Sequence, residues 1–222
     1  MVVSDYDGTL FNGKQNLIDN IDSISKFRNM SNLFVIATER NFPSIKREID
    51  FYNIPYDYLI CNNGSVVFDN KNNLLNAEFI DEKIVKEILE YLFNNDLKDF
   101  VLCDVFGKTY STKNVTMITF YVNSCSKLKE IRNFIYDCYL DIQVDKFYNQ
   151  ICIRKKCFKD FGIDCIYNSL KNKPEHIYTI GNDKTDTEML KRFNGYLIFN
   201  AHLHDGSLRK CNSVKQLIKK VI

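Results

Sequence analysis

The chain begins with MVVSDYDGTLF (Met1–Phe11), in which a short apolar run leads directly into two acidic residues. Val2 and Val3 are typical of a buried strand, yet Asp5 and Asp7 follow them at once. Two carboxylates at the end of a buried strand repel each other and lose hydration, so a cation is needed beside them. The stretch therefore predicts a strand that delivers acidic side chains to a charged site.

The composition is that of a globular protein with a substantial core. The chain has 222 residues, of which 45% are hydrophobic and 26% charged, and its formal net charge is +2. Its basic residues are scattered, no apolar run approaches the ~20 residues that span a bilayer, and no secretory leader pattern is present. We therefore expect a cytoplasmic protein with no nucleic acid and no membrane among its partners.

Strands and helices alternate at the beginning of the chain. Predicted strands at 1–4, 32–38 and 56–61 are separated by helical patterns at 14–29 and 45–53. This alternation predicts a parallel sheet with helices on its faces. Such sheets bind ligands beyond the carboxyl ends of their strands.

A strand-rich block interrupts this alternation. Its first half contains a predicted helix at 78–93 followed by strands at 99–105 and 115–122. Its second half repeats this order, with a helix at 126–139 and strands at 141–148 and 150–156. We therefore predict an α/β fold with a Rossmann-like parallel-sheet core, formed by 1–75 and 157–222, and an inserted α+β domain at 76–156.

Polar residues follow three of the predicted core strands. Thr38 ends the strand at 32–38, and Asn182, Asp183 and Asp186 follow a strand at 176–180. Because the carboxyl ends of parallel strands meet at one edge of a sheet, we expect these side chains to lie near Asp5. Oxygen ligands without nearby His or Cys favour Mg²⁺ over zinc or copper, as in sites that handle phosphate.

These residue types suit phosphoryl transfer. A carboxylate such as Asp5 can attack phosphorus and form an aspartyl-phosphate, and Asp7 can protonate the leaving group and later activate water. Thr38 offers a hydroxyl to the transferring phosphoryl group. Lys159 offers a positive charge that can neutralise both that group and Asp5.

Four segments resemble, in order, the four motifs of the haloacid dehalogenase (HAD) phosphatase superfamily. They are DYDGTL (5–10), IATER (36–40), Lys159 and GNDKTDTEML (181–190). The segment ICNNGSVVFD (60–69) is similar to a turn of the Cof-type branch, subfamily IIB, which carries a C2B cap. The resemblance covers nearly the whole chain, and it implies that the inserted domain is a reduced cap that closes over the substrate.

The resemblance also implies a role for each matching residue. Asp5 would be the nucleophile and a metal ligand, and Asp7 the general acid/base with its backbone carbonyl on the metal. The other implied residues are the phosphate-binding Thr38, Lys159, Gly8 and Thr9, and the metal-binding Asn182 and Asp186 with Asp183 as a substitute ligand. The implied reaction is Mg²⁺-dependent hydrolysis of a small phosphorylated metabolite such as a sugar phosphate or phosphoglycolate.

Several positions depart from the family pattern. Asn182 stands where an aspartate is usual, and Glu39 and Asp160 stand where glycines are usual. Because an amide oxygen binds Mg²⁺ more weakly than a carboxylate, we expect a lowered metal affinity. Two alternatives stay open: a phosphomutase or phosphotransferase of the same superfamily, and a non-catalytic protein that binds phosphorylated ligands. Arg40 can contact either the substrate or an ion-pair partner, and neither the particular substrate nor the oligomeric state follows from the sequence.

Overall fold

A computed structural model of the chain describes residues 1–147 and 149–222. The chain divides into two compact units: a core unit, Met1–Asn76 with Cys157–Ile222, and an inserted unit, Ala77–Lys156. The first junction lies one residue after the position proposed from the sequence, and the second lies at the proposed position.

The secondary structure consists of seven helices and thirteen strands within the described residues. Before the insertion lie β1 (Val2–Asp5), α1 (Lys14–Asn29), β2 (Phe34–Ala37), α2 (Phe42–Tyr52), β3 (Tyr58–Cys61), β4 (Val66–Asp69) and β5 (Leu74–Ala77). The inserted unit contains α3 (Glu82–Asn94), β6 (Phe100–Asp104), β7 (Gly107–Thr109), β8 (Met117–Tyr121), α4 (Cys125–Cys138), β9 (Ile142–Phe147) and β10 (Gln150–Lys155). After it come α5 (Lys159–Ser169), β11 (Tyr178–Gly181), α6 (Thr187–Arg192), β12 (Asn194–Ile198), β13 (Arg209–Cys211) and α7 (Val214–Val221).

The core unit is built around an eight-stranded sheet with the order β13-β12-β11-β1-β2-β3-β4-β5. Neighbours from β13 to β3 are parallel, whereas β3 and β4 are antiparallel and joined by the short 3₁₀ turn Asn62–Gly64. Asp5 on β1 is in register with Ala37 on β2. Asp5, Thr38 and Asn182 therefore lie at the carboxyl ends of three adjacent strands. The predicted α/β fold is confirmed.

The central strands of this sheet are buried. Every residue of β1 and β2 is buried, which explains why β2 is apolar throughout and why β1 begins with two consecutive valines rather than alternating apolar and polar residues. Val3, Val35 and Ile60 from three neighbouring strands pack with Ile163 of α5 and Met189 of α6. Burial of each such side chain contributes roughly 1.5–3 kcal/mol. This packing fixes the strand ends that carry the polar residues.

The inserted unit has its own antiparallel sheet of five strands, ordered β7-β6-β8-β10-β9. Val85 and Ile88 of α3 pack with Ile131 and Ile135 of α4 and with Phe120 of the sheet, which gives the unit a separate apolar core. Such a core is the physical mark of an independent domain.

The inserted unit departs from its predicted order by one strand. The extra strand is β7, which pairs with β6 as a hairpin and has three residues, too few to show a periodic pattern. The strand predicted at 141–148 corresponds to β9 as far as Phe147, and Tyr148 lies outside the described residues. In the described part of the chain, no helix has both the length and the apolar character needed to span a membrane.

Candidate active site

Lys159, Asp5 and Asp186 form a buried ion cluster at the carboxyl edge of the core sheet. Lys159 is the first residue of α5, and its Nζ lies 2.7 Å from Asp5 Oδ1 and 2.6 Å from Asp186 Oδ1. The three side chains are only 1%, 7% and 1% exposed, respectively. When both acids are ionised, two carboxylates share one ammonium, so the cluster has an excess negative charge in a site with little water.

These surroundings shift the pKa of both Asp5 and Lys159. Burial, followed by the Asp186 carboxylate, raises the pKa of Asp5 to about 7, although Lys159 acts in the opposite direction. Burial by itself lowers the pKa of Lys159, but the charges of Asp186 and Asp5 outweigh burial and raise it. Lys159 is therefore a permanent cation, and Asp5 holds its proton more tightly than an ordinary aspartate does.

Asp186 also holds the loop that follows β11. Its Oδ2 accepts hydrogen bonds from the backbone amides of Asn182, at 2.8 Å, and Asp183, at 3.0 Å. Gly181 leaves room for this carboxylate, since a Cβ there would lie 2.5 Å from Asp186 Cγ. Both oxygens of Asp186 are thus engaged within the protein, one with Lys159 and the other with the backbone.

Asp183 lies at the surface beside this cluster. Its side chain is exposed, and its carboxylate accepts a hydrogen bond from the backbone amide of Lys184 at the start of the 3₁₀ turn Lys184–Asp186. The resemblance gives a metal-binding role to Asn182, Asp183 and Asp186. Of these, the Asn182 side chain lies 3.0 Å from a carboxylate oxygen of Asp5.

Three oxygens surround one end of the Asn182 side-chain amide, and one of them is the second carboxylate oxygen of Asp5. One terminal atom of the Asn182 amide lies 3.0 Å from Asp5 Oδ2, 3.1 Å from the backbone oxygen of Asp7 and 3.1 Å from Thr9 Oγ1. The other terminal atom lies against Gly8, where a Cβ would come within 2.3 Å of it. Gly8 also has a φ of 79°, a conformation that favours glycine. Lys159 and Asn182 therefore contact different oxygens of the nucleophile candidate.

These donor atoms fit a hard divalent cation. A carboxylate oxygen from Asp5, the carbonyl oxygen of Asp7 and the amide oxygen of Asn182 are ligands of the kind that Mg²⁺ prefers. The same end of the Asn182 amide lies 3.0 Å from Asp5 Oδ2 and 3.1 Å from the Asp7 carbonyl oxygen, so its oxygen would complete the set when turned toward them. Within residues 1–147 and 149–222, no group of three or more His, Cys, Asp or Glu is placed to hold a metal ion. The mixed oxygen set beside Asp5 is therefore the candidate metal site.

The Asp7 side chain lies at the rim and pairs with Arg40. Its two carboxylate oxygens accept hydrogen bonds from Arg40 Nε at 2.8 Å and Nη2 at 2.6 Å, in the two-point geometry that makes such pairs strong. The Asp7 side chain is 52% exposed and that of Arg40 is 31% exposed. The sequence left two roles open for Arg40, contact with the substrate and an ion pair. The structure shows an ion pair, with Asp7.

Arg40 is itself held from the side of α2. Its Nη1 lies 3.5 Å from Glu48 Oε1, and its guanidinium carbon lies 5.2 Å from the ring centre of the buried Tyr6. The Tyr6 hydroxyl donates to Glu48 Oε2 at 3.3 Å. The sequence did not single out Glu48 or Tyr6, because Glu48 is an ordinary charged residue on a helix and Tyr6 lies between the two motif aspartates.

The Thr38 hydroxyl and the backbone amides of Gly8 and Thr9, which were expected to bind phosphate, make hydrogen bonds within the protein. Thr38 is buried directly after β2, and its Oγ1 accepts a hydrogen bond from the backbone amide of Arg40 at 3.2 Å. The backbone amide of Gly8 donates to Phe11 at 3.0 Å, and that of Thr9 donates to Tyr6 at 3.4 Å. The two amides therefore stabilise the turn after β1, and Thr38 lies at the same edge of the sheet.

Comparison with known proteins identifies the family. The model of the haloacid dehalogenase-like hydrolases matches residues 2–137. A Buchnera aphidicola relative, whose name assigns it provisionally to the phosphatases, is 26% identical over 234 residues, which cover 91% of this chain and 87% of the relative.

Two solved structures show the same fold. A Thermotoga maritima protein has a TM-score of 0.83 at 17% identity and covers 100% of this chain and 97% of its own. A HAD subclass IIB sugar phosphatase has a TM-score of 0.69 at 17% identity, with coverage of 90% and 87%. The resemblance drawn from the motifs is confirmed by the family match, and the chain belongs to the haloacid dehalogenase-like hydrolase family.

Proposed function

We propose that this protein is a Mg²⁺-dependent phosphomonoester hydrolase that acts on a small phosphorylated metabolite through an aspartyl-phosphate at Asp5. The observation that carries the proposal is the buried Asp5 carboxylate, which contacts Lys159 through one oxygen and a set of oxygen donors through the other. The provisional phosphatase name of the Buchnera relative and the sugar phosphatase among the solved structures favour phosphate esters as the substrate class.

Asp5 is the nucleophile in this proposal. One of its oxygens attacks phosphorus, an O–P bond to Asp5 forms, and the bond from phosphorus to the leaving-group oxygen breaks. Lys159 and the Thr38 hydroxyl neutralise and orient the phosphoryl oxygens, while Asp186 positions Lys159. When bound by Asp5, the Asp7 carbonyl and Asn182, Mg²⁺ supplies positive charge that keeps Asp5 ionised.

Asp7 moves the protons. In the first step it gives a proton to the departing oxygen, and in the second it takes a proton from the water that attacks the aspartyl-phosphate, which releases phosphate and restores Asp5. Its half-exposed side chain can exchange protons with bulk water, which the buried Asp5 cannot do. The two hydrogen bonds from Arg40 fix the position from which Asp7 acts.

Gly8, Thr9 and Asn182 serve the metal site. Gly8 leaves the space into which the Asn182 amide fits, and Thr9 lies within hydrogen-bonding distance of that amide. Asp183 caps the adjoining turn and is not needed as a ligand in this scheme. The proposal therefore rests on one side-chain carboxylate, one backbone carbonyl and one amide for the metal.

The test is release of inorganic phosphate by the purified protein. With p-nitrophenyl phosphate, we expect turnover that requires added Mg²⁺, stops with EDTA and is absent from the Asp5→Asn variant. A panel of sugar phosphates, phosphoglycolate and other phosphorylated metabolites then identifies the substrate class. Binding of these compounds without turnover would indicate a non-catalytic protein, and transfer to a second hydroxyl without free phosphate would indicate a mutase or transferase.

A further inference from the structure

The candidate metal site consists of the Asp5 carboxylate, the Asp7 carbonyl and the Asn182 amide. Of these groups, the amide can present either a hydrogen-bond donor or an acceptor. Its nitrogen and oxygen are similar in size, and a half-turn about the last side-chain bond exchanges them. Asp5 and the Asp7 carbonyl, which lie 3.0 Å and 3.1 Å from the amide, have no such choice, because a carboxylate and a carbonyl only accept.

With its nitrogen toward Asp5, the amide satisfies the site without a metal. The nitrogen then donates toward Asp5 Oδ2 at 3.0 Å and toward the Asp7 carbonyl oxygen at 3.1 Å, with Thr9 Oγ1 also at 3.1 Å. The two acceptors that a cation would join are thus joined by an amide. Because Asp5 is a buried carboxylate, a hydrogen bond to it in its charged form is among the stronger kind.

With its oxygen toward Asp5, the amide is arranged for a cation. The Thr9 hydroxyl then donates to the amide oxygen at 3.1 Å, while the same oxygen faces Asp5 Oδ2 and the Asp7 carbonyl, which are both acceptors. This orientation leaves three oxygen groups facing one another, and a divalent cation among them removes the repulsion.

The surrounding structure limits the amide to these two orientations. Asp186 Oδ2 holds the backbone amide of Asn182 at 2.8 Å, so the loop itself is fixed. Gly8 packs so closely on the outer end of the side chain that a Cβ there would lie 2.3 Å from it. A half-turn of the terminal amide exchanges two atoms of similar size in these positions and needs no movement of the chain.

We infer that Asn182 takes the place of the cation in the metal-free protein and turns by half a rotation when the cation binds. The binding of a cation here, and its identity, rest on the proposed function. An aspartate at this position, as is usual in the family, has acceptors alone and would add a third carboxylate beside Asp5 and Asp186. We therefore expect the metal-free protein to be more stable with an amide at this position than with a carboxylate.

The experiment compares melting temperatures in EDTA and in excess Mg²⁺, without substrate. The proteins are the wild type, Asn182→Asp, Asn182→Ala and the charge-matched control Asn168→Asp, at an exposed position of α5. We expect Asn182→Asp to melt about 5 °C or more below the wild type in EDTA, because it places a like charge beside the buried Asp5, and to regain most of that loss with Mg²⁺. Asn168→Asp should follow the wild type in both buffers.

The Asn182→Ala variant removes the hydrogen bonds of the amide without adding a charge, so it separates these two effects on the melting temperature. It should melt below the wild type in EDTA, by less than Asn182→Asp, and gain little from Mg²⁺. If Asn182→Asp and the wild type melted together in EDTA, or if Asn182→Ala lost nothing there, the amide would not be joining these oxygens and the inference would be overturned. None of these measurements involves turnover, so they can fail while the phosphatase assay succeeds, and the reverse.

A second measurement applies even if Asn182→Asp does not fold. The side-chain amide signals of Asn182 in a proton–nitrogen NMR spectrum can be assigned by their loss in Asn182→Ala. In EDTA the hydrogens should exchange slowly with water because they are bonded to Asp5 and Asp7, and Mg²⁺ should shift them and speed their exchange. Fast exchange in EDTA, or no response to Mg²⁺, contradicts the half-turn.

Discussion

Asp5 and Asp7 have one residue between them, yet their carboxylates lie in opposite surroundings. Asp5 is buried and shares the ammonium of Lys159 with Asp186, whereas the half-exposed Asp7 pairs with Arg40 at the rim. In the proposed mechanism, the shielded inner carboxylate is the nucleophile and the exposed outer one carries protons. If so, burial and the neighbouring cation give the same residue type two different roles.

The largest expected effect is that of Asp5→Asn. The amide keeps the shape of the side chain but cannot attack phosphorus, so turnover should fall by at least about 10⁴-fold, as for other lost nucleophiles. Steady-state rates on p-nitrophenyl phosphate measure the loss, and a thermal melt verifies that the variant is folded. A folded Asp5→Asn protein that retains a tenth of the wild-type rate would show that the buried carboxylate is not the nucleophile.

Asp7→Asn should slow the reaction by about 10²- to 10⁴-fold and in a different way. The p-nitrophenolate ion leaves without needing a proton, so p-nitrophenyl phosphate should still form the aspartyl-phosphate. That intermediate should then persist, because the variant lacks the carboxylate that activates water. Alkyl phosphates need the proton and should lose more rate than aryl phosphates. Equal losses on both ester types, with no accumulated intermediate, would show that Asp7 does not carry the proton.

The two ion pairs should also differ in their effect on stability. Lys159→Met leaves Asp5 and Asp186 buried without their cation and should lower the free energy of unfolding by about 3–5 kcal/mol. Arg40→Met breaks a pair at the rim and should cost at most about 1 kcal/mol. Urea unfolding of both variants in EDTA gives the two values, and similar losses would mean that burial does not separate the two sites.

The smallest effect is expected from Arg40→Gln on catalysis. Loss of the two-point hydrogen bond leaves Asp7 less well positioned, which should lower kcat on alkyl phosphates by about tenfold and on aryl phosphates by less. Arg40→Lys, which keeps the charge, should recover part of the loss. An equal drop in kcat on both ester types would assign Arg40 a role other than positioning Asp7.

The sequence predicts the core fold well where strands are buried and helices are long. The apolar runs before Asp5 and Thr38 and the period of α1 were sufficient for β1, β2 and α1, whose predicted span of 14–29 is the observed one. The strands β5, β7 and β13 were not predicted, because they have three or four residues and carry mostly exposed or half-buried side chains. The mostly buried β12 was also not predicted; it begins with Asn194 and Gly195, which are typical of turns.

The sequence also places Asp5, Thr38 and Asn182 at one edge, because parallel topology aligns the ends of neighbouring strands. It does not predict which cation each carboxylate contacts. The pairing of Arg40 with Asp7 and Glu48 depends on where α2 packs, and the double use of Asp186 depends on the path of the loop after β11. Those contacts are properties of the packed structure and leave no periodic signal.

The central claim is that the buried carboxylate of Asp5 becomes phosphorylated. The most direct test is rapid acid quenching of the Asp7→Asn protein with p-nitrophenyl phosphate and Mg²⁺, followed by peptide mass spectrometry. We expect one phosphoryl group on the peptide that contains Asp5, lost on treatment with hydroxylamine, and none in a variant that also carries Asp5→Asn. A phosphoryl group on any other residue, or p-nitrophenol release by Asp7→Asn with no phosphorylated peptide at any time, would contradict it.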